Sequence, residues 1–192
     1  MMGRPKEFDR KDVLIKARNL FWKEGYEKAS LGDLLETMGI HRKSLYDTYG
    51  SKKELFIEAL QSYHDEVAEF MANKSNIAKN GIDKIRSVFE SSMKLDGGQQ
   101  RGCMIINTAA ESFEDDAEIR DLIKKWDLEM TNSFYSFLME AKDEKLISDE
   151  VDLMDRAKFL NNAFIGFRVQ LKMNRTKNEM NKLIEQSIRA VC

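Results

Sequence analysis

The chain has 192 residues, enough for one large domain or two small ones with a buried core. Hydrophobic residues make up 42% of it and charged residues 33%, the balance of an ordinary globular protein, and no segment approaches the roughly 18 consecutive apolar residues of a membrane span. The two cysteines and two histidines match no metal or redox spacing. We therefore expect no membrane segment, no metal, no cofactor, and free thiols in a reducing cytoplasm.

Charge is unevenly distributed, although the net formal charge is only −2. Residues 1–56 contain twelve Lys or Arg against nine Asp or Glu, an excess of three positive charges that leaves −5 for the remaining residues. A positively charged end attracts the phosphates of nucleic acids, and an acidic remainder repels them and so reduces non-specific binding. The distribution supports nucleic-acid binding by the N-terminal region.

The first two helices are predicted from their caps. Asp9 suits an N-cap, and Gly25 suits the left-handed position that ends a helix, so a first helix runs between them. Ser30 and Asp33 resemble a capping box that begins a second helix, and Gly39 ends it.

Two short helices, at Leu31–Met38 and Arg42–Tyr49, have the spacing of a helix-turn-helix. This motif holds its helices at a rigid angle so that the second can enter the major groove of DNA, where its first turn meets base edges. Four residues occupy that turn: His41, Arg42, Lys43 and Ser44. Ser51 with Glu54 forms a further capping box, which begins a long fourth helix.

The rest of the chain is also helical in pattern. The pattern predicts five more helices, which bring the number to about nine. They are a helix marked by apolar residues 82–89, a short helix at Cys103–Phe113, a long helix capped by Asp115 or Asp116, and two last helices at Asp152–Asn174 and Thr176–Val191. No strand alternation longer than a few residues occurs. We predict an all-α fold with two domains, 1–56 and 57–192.

Five pieces of the N-terminal region, in order and at the right spacing, together resemble the TetR family of bacterial repressors: Gly3-Arg4-Pro5-Lys6, Leu20–Tyr26, Met38-Gly39-Ile40, Ser44-Leu45-Tyr46 and Gly50–Phe56. The resemblance implies an N-terminal three-helix DNA-binding domain and a C-terminal helical domain for ligand binding and dimerisation. It also implies a homodimer formed through the last two helices, which binds a palindromic double-stranded DNA operator.

The resemblance implies roles for individual residues. Arg42 and Lys43 reach bases or phosphates, whereas Ser30, Tyr46 and Lys52 bond phosphates. For Ser30, the free N–H groups at the start of its helix already favour an anion.

Three further DNA-binding candidates each have two interpretations. Arg4 and Lys6 belong to a segment that either enters a minor groove as a basic arm or only adds charge as a disordered tail. Asp47 departs from the family pattern. It either accepts a hydrogen bond from cytosine N4 or merely caps and repels.

A small-molecule pocket is predicted in the C-terminal domain. Cys103, Asn107 and Glu111 are spaced four apart, which places them on one face of a helix, and polar groups on an apolar segment can orient a ligand. Further residues complete the candidate pocket: Trp126, Met130, Phe134, Phe164 and Arg168. The alternatives are that Asn107 and Glu111 bond neighbouring helices and that Cys103 is a redox sensor.

Three functions are compatible with the sequence. The first, which we favour, is a homodimeric cytoplasmic repressor released from its operator by a small hydrophobic or amphipathic effector. The second is an enzyme, but the sequence has no nucleophile with a base, no metal-ligand spacing and no phosphate loop. The third is a DNA-binding regulator without a ligand, driven by a protein partner or by abundance alone.

Overall fold

A computed structural model describes residues 8–95, 101–111, 116–148, 150, 152–173 and 175–192. Within these residues the chain forms nine α-helices, one 3-10 helix and no strand. The α-helices are α1 (Arg10–Glu24), α2 (Leu31–Met38), α3 (Arg42–Tyr49), α4 (Lys52–Ser75), α5 (Gly81–Ser92), α6 (Met104–Ala109), α7 (Ala117–Asp143), α8 (Leu153–Gln170) and α9 (Lys177–Arg189), and the 3-10 helix is Leu171–Met173. The predicted all-α fold is confirmed.

The predicted caps define the first two helices. Asp9 begins α1 by accepting hydrogen bonds from the N–H groups of the second and third helical residues. Gly25 ends α1 with φ 85° and ψ 168°, a conformation open to glycine but outside the left-handed helical region that the sequence predicted. Gly39, which ends α2, does lie in that region, at φ 68° and ψ 32°.

The chain divides into two compact units inside α4, between Glu66 and Val67. The sequence placed the domain boundary at residue 56, yet Tyr63 packs edge-on against Trp22 of α1, with ring centroids 4.9 Å apart. The helix α4 continues without a break through residue 56. The sequence near residue 56 therefore contains no signal for the point at which α4 stops packing against α1. The first unit therefore extends further along α4 than the predicted domain.

The first unit has an aromatic core between α1 and α4. Phe21 of α1 and Phe56 of α4 are 2% and 1% exposed and meet edge to face at 4.9 Å. Leu34 of α2 and Leu45 of α3 are fully buried, which fixes the angle between these two helices. The three-helix frame expected around the turn is present.

The second unit packs α5, α7, α8 and α9 around Phe89. This fully buried ring lies 5.3 Å from Phe164 and 5.2 Å from Phe167, in edge-on contacts typical of aromatic clusters. Phe134 of α7 is also fully buried in the cluster. These rings, with the aliphatic residues around them, form the hydrophobic core of the second unit.

The segment between α5 and α7 differs from its prediction. α6 has six residues, Met104–Ala109, instead of the longer helix expected at Cys103–Phe113, because Ala110 closes a tight final turn. Asp116 caps α7 through the N–H of Ile119, 3.2 Å away, and the alternative cap Asp115 lies outside the described residues. None of the described helices is both long and apolar enough to cross a membrane.

Candidate functional site

The turn between α2 and α3 sets the direction of α3. Gly39 reverses the chain, and Ile40, 9% exposed, anchors the turn in the core. His41 is the N-cap of α3, but its side chain makes no capping hydrogen bond. On the inner side of α3, Leu45 and Tyr49 are 0% and 5% exposed. The opposite side of the helix is therefore turned to solvent.

That solvent face of α3 carries the residues expected to contact DNA. Arg42, Lys43, Tyr46 and Asp47 are exposed, and Ser44 is half-buried. The Arg42 guanidinium lies 5.8 Å from the centre of the Tyr46 ring, one helical turn along. Two cations, a phenol and a carboxylate thus share one surface, and such a surface can bond both phosphates and base edges.

The start of α2 is already occupied by a side chain. Ser30 accepts a hydrogen bond from the Asp33 N–H at 3.2 Å, and its hydroxyl donates to the Asp33 carboxylate at 2.6 Å. The Ser30 N–H bonds the same carboxylate at 3.2 Å, which completes the predicted capping box. A phosphate at Ser30 would have to displace or share these hydrogen bonds, so that role of Ser30 stays a prediction.

The start of α4 brings together residues that the sequence did not connect. Lys52, the first residue of α4, holds its ammonium 4.4 Å from the centre of the Tyr26 ring in the turn after α1. Lys52 was expected at a phosphate, whereas Tyr26 was named only as the last residue of the segment Leu20–Tyr26 that resembles the family. The pairing could not be found from spacing, because the two residues belong to different elements.

Two arginines of α1 brace the first unit through contacts with α4. Buried Arg18 donates to the Glu66 carboxylate at 2.7 Å and to the Ser62 carbonyl at 3.4 Å. Arg10 pairs with Glu58 of α4 at 2.7 Å. These interactions hold α1 against α4 within the first unit.

Tyr49 ties the end of α3 to the start of α1. Its hydroxyl donates to the Arg10 carbonyl at 3.0 Å, and the Arg10 guanidinium lies 5.2 Å from the ring centre. Burial raises the pKa of Tyr49, and the positive charge of Arg10 opposes that shift. The phenol is held in its neutral, donating form. The remaining DNA-binding candidates, Arg4 and Lys6, lie outside the described residues.

The predicted helix face in the second unit does not exist. Cys103 is the N-cap of α6, Asn107 lies within the helix, and Glu111 comes after its last residue, so the three do not share one helical face. The spacing argument failed because it assumed a helix long enough to contain all three.

The polar members of the candidate pocket have protein partners. Asn107 donates to the Arg101 carbonyl at 3.0 Å, and its side-chain oxygen accepts from Lys172 at 3.2 Å. Arg168, 2% exposed, donates to the carbonyls of Ser92 and Gly102 at 3.2 Å and 3.3 Å. These groups hold α8 to the end of α5 and to the chain leading into α6.

The apolar members of the candidate pocket belong largely to the core. Phe134 and Phe164 are in the aromatic cluster, Trp126 is 5% exposed, and Met130 is half-buried. No three residues of the types that ligate metals come together anywhere in the described ranges. A ligand-binding role for these residues stays a prediction.

Comparisons with known proteins agree with this geometry. Residues 13–59 match the family model described as bacterial regulatory proteins of the tetR family, and residues 81–187 match the tetracyclin repressor-like C-terminal domain. The HTH-type transcriptional regulator YezE of Bacillus subtilis is 32% identical over 97% of this chain and 98% of its own length. The HTH-type transcriptional repressor ComR of Escherichia coli is 26% identical over 97% of this chain and 90% of its own length.

A similar solved structure contains DNA. A cysteine mutant of the TetR family regulator CifR, in complex with a 26-base-pair double-strand operator, is 26% identical, covers 99% of this chain and 100% of its own, and has a TM-score of 0.87. Both halves of the chain thus match the same family, and α3 lies within the N-terminal match. The chain belongs to the TetR family and is a DNA-binding transcriptional regulator, not an enzyme.

Proposed function

We propose that the protein is a repressor that binds a palindromic operator as a homodimer and is released by a small molecule bound in its C-terminal domain. The exposed face of α3 carries the proposal, since Arg42, Lys43 and Tyr46 lie on it side by side. The repressor ComR and the operator complex of CifR support the same role for this chain. A regulator of this kind acts where the chromosome lies, in the cytoplasm.

We infer that the two cations at the start of α3 contribute most to DNA binding. Arg42 and Lys43 occupy the first two helical positions, beside the uncapped N–H groups that follow His41. In a major groove, Arg reads guanine best because its guanidinium bonds two acceptors at once, and Lys also neutralises phosphate. We assign base contact to Arg42 and phosphate or base contact to Lys43.

A surface stripe on α8 supports the homodimer. Phe159, Asn162, Gly166 and Val169 are exposed at alternating spacings of three and four, and Phe159 and Val169 keep 45% and 38% of their surface. A side chain at Gly166 would meet nothing within 4 Å, so a partner helix could approach closely there. This spacing is that of a helix–helix seam, and a second copy offers the same stripe.

The homodimer predicts the form of the operator. Two-fold symmetry places two copies of α3 in successive major grooves, with half-sites about one helical turn, or 10 base pairs, apart. The purified protein is incubated with a library of random duplexes at moderate salt, and the bound DNA is sequenced. Enrichment of an inverted repeat supports the proposal, and no enrichment at all overturns its DNA-binding part.

Single substitutions separate direct phosphate binding from general charge. Lys43→Met is expected to weaken operator binding and to lower the slope of log affinity against log salt by about 0.9 for each phosphate that the variant no longer neutralises. Lys16→Met is the matched control, because Lys16 lies on α1 and pairs with Asp12 at 2.9 Å. Equal effects of the two substitutions would mean that only net charge matters.

The dimer seam is tested by sedimentation. Val169→Asp is expected to convert a dimer into the 22.3 kDa protomer, since an unpaired carboxylate in an apolar seam is costly. Ile77→Asp is the control, because Ile77 is 78% exposed and outside the seam. A wild-type protomer, or equal loss of dimer in both variants, contradicts the proposed interface.

A regulator without an effector is the second candidate. It is favoured by the partners of Asn107 and Arg168 and by the packing of Phe134 and Phe164 in the core. A panel of amphipathic small molecules is added to the complex of the protein with its enriched duplex. Release of DNA together with a higher unfolding temperature supports the effector. Release by no compound favours control by abundance or by a protein partner.

A further inference from the structure

The pairing of Lys52 with Tyr26 deepens the DNA-binding role proposed above. The Lys52 ammonium lies 4.4 Å from the ring centre, well inside the range of a cation–π interaction. Both side chains are half-buried, so the ammonium is held close to the protein surface. The interaction links the turn before α2 to the first residue of α4.

The Tyr26 ring is itself fixed by the core. It lies 4.8 Å from the ring centre of Phe56 and 6.3 Å from that of Phe21, both of which are buried. A ring held by two buried neighbours has little freedom to rotate away. The lysine therefore rests against a rigid surface instead of a mobile side chain.

The Lys52–Tyr26 pair lies close to the end of α3, the helix proposed to enter the major groove. Lys52 follows the end of α3 by three residues, across the turn at Gly50, where φ is 83°. A free lysine loses much rotational freedom when it binds a phosphate, and a pre-positioned lysine loses less. A cation held near the end of the reading helix is therefore suited to a backbone phosphate beside the groove.

We propose that Tyr26 is a positioning residue that holds the Lys52 ammonium ready for a DNA phosphate. The inference rests on the proposed operator binding and adds a residue that does not itself touch DNA. The proposal predicts energetic coupling between the two residues: substitution of Tyr26 lowers the affinity for DNA only when Lys52 is present. A residue that merely stabilised the fold would affect affinity with or without that lysine.

The test is a double-mutant cycle with the duplex that the wild-type protein enriches. Tyr26→Leu removes the ring face and is expected to weaken binding about two- to fivefold per reading head. In a Lys52→Met background the same change is expected to have no further effect. Tyr26→Phe keeps the ring and recovers the affinity that Tyr26→Leu loses. Trp22 fluorescence confirms that each variant is folded.

The outcomes separate the two proposals. Wild-type protein that enriches no duplex refutes the operator-binding function itself. Wild-type binding with an equal decrease from Tyr26→Leu in both backgrounds refutes positioning, because the effect would then be structural. Tighter binding by Tyr26→Leu also refutes it, since the ring would then hold Lys52 away from the phosphate.

Discussion

Gly81 lies where α5 crosses α7 with almost no space between their backbones. A Cβ atom at this position would stand 2.1 Å from the Phe137 carbonyl oxygen and 2.6 Å from the Ala141 nitrogen. Both obstacles are main-chain atoms within a helix, so neither can rotate away. Gly81→Ala therefore forces α5 to move away from α7.

The expected cost follows from these distances. Ordinary van der Waals contact begins near 3.5 Å, so the helices must separate by more than about 1 Å at the crossing. Overpacking of this kind costs about 1–3 kcal/mol, and the rigid obstacles favour the upper half of that range. The better helix propensity of alanine returns at most about 1 kcal/mol. We expect a net decrease of about 2 kcal/mol in the free energy of unfolding.

The two tryptophans make the measurement specific to one unit. Trp22 lies in the first compact unit and Trp126 in the second, and both are buried. In a Trp22→Phe background, fluorescence during urea unfolding reports the second unit, which contains Gly81. With a urea dependence of about 1–3 kcal/mol per molar, the midpoint should fall by about 1 M.

A second glycine in a helix's first turn provides the control. Gly32 of α2 has only the Ser30 hydroxyl oxygen near its would-be Cβ, at 3.6 Å, which is an ordinary van der Waals distance. In a Trp126→Phe background, Gly32→Ala should leave the Trp22 transition unchanged or move it slightly upward, since alanine favours helix. A Gly81→Ala protein within about 0.5 kcal/mol of wild type, on the scale of a neutral surface change, would refute the close crossing of α5 and α7.

Four further substitutions, three at the bracing interactions of the first unit and one at the cap of α9, are tested by urea unfolding. Arg18→Met should destabilise the first unit by about 1–2 kcal/mol because it removes buried donors, whereas Glu66→Gln should cost under about 0.5 kcal/mol because that side chain is 67% exposed. Tyr49→Phe should cost about 1 kcal/mol at neutral pH. Because folding raises the pKa of Tyr49, wild type should lose stability as pH rises above about 10, and Tyr49→Phe should lack that component. Thr176→Ala should cost the second unit about 1 kcal/mol by removing the capping box of α9.

The DNA-reading frame is predictable because its signals are local. Asp9 caps a helix that begins at the next residue, and Ser30 bonds a residue three positions away. Gly39 reverses the chain between two helices that it directly connects. Short-range chemistry of this kind is visible in the sequence without knowledge of tertiary packing.

The bracing interactions escaped prediction because they join distant parts of the chain. Arg18 and Glu66 are 48 positions apart, and in the sequence Arg18 is one more charge on an amphipathic helix. Its burial depends on where α4 packs, which no local pattern specifies. The Lys52–Tyr26 pair was missed for the same reason. The predicted helix face of Cys103, Asn107 and Glu111 failed differently, because their spacing has meaning only on a helix longer than α6.

A binding site for an effector is harder to infer from the sequence than DNA binding, because apolar residues occur both in pockets and in cores. A ligand pocket and a packed core both require rings such as Phe134 and Phe164, so the sequence pattern is the same for either. The exposed charged side chains of α3, in contrast, are not needed for core packing. Their charge and position therefore indicate a binding partner more directly than buried rings do.

We expect Asp47 to favour sequence discrimination over simple affinity. Its carboxylate is exposed on the same face of α3 as Arg42 and Lys43, and within the described residues it takes part in no ion pair. Near any phosphate it lowers affinity, whatever the base sequence. Only a donor such as the cytosine amino group can offset that decrease, and it does so at one base pair. We therefore expect this acid among cations to weaken every complex except the one with a matching base, and operator affinity of the Asp47→Asn variant on matched and mismatched duplexes tests that expectation.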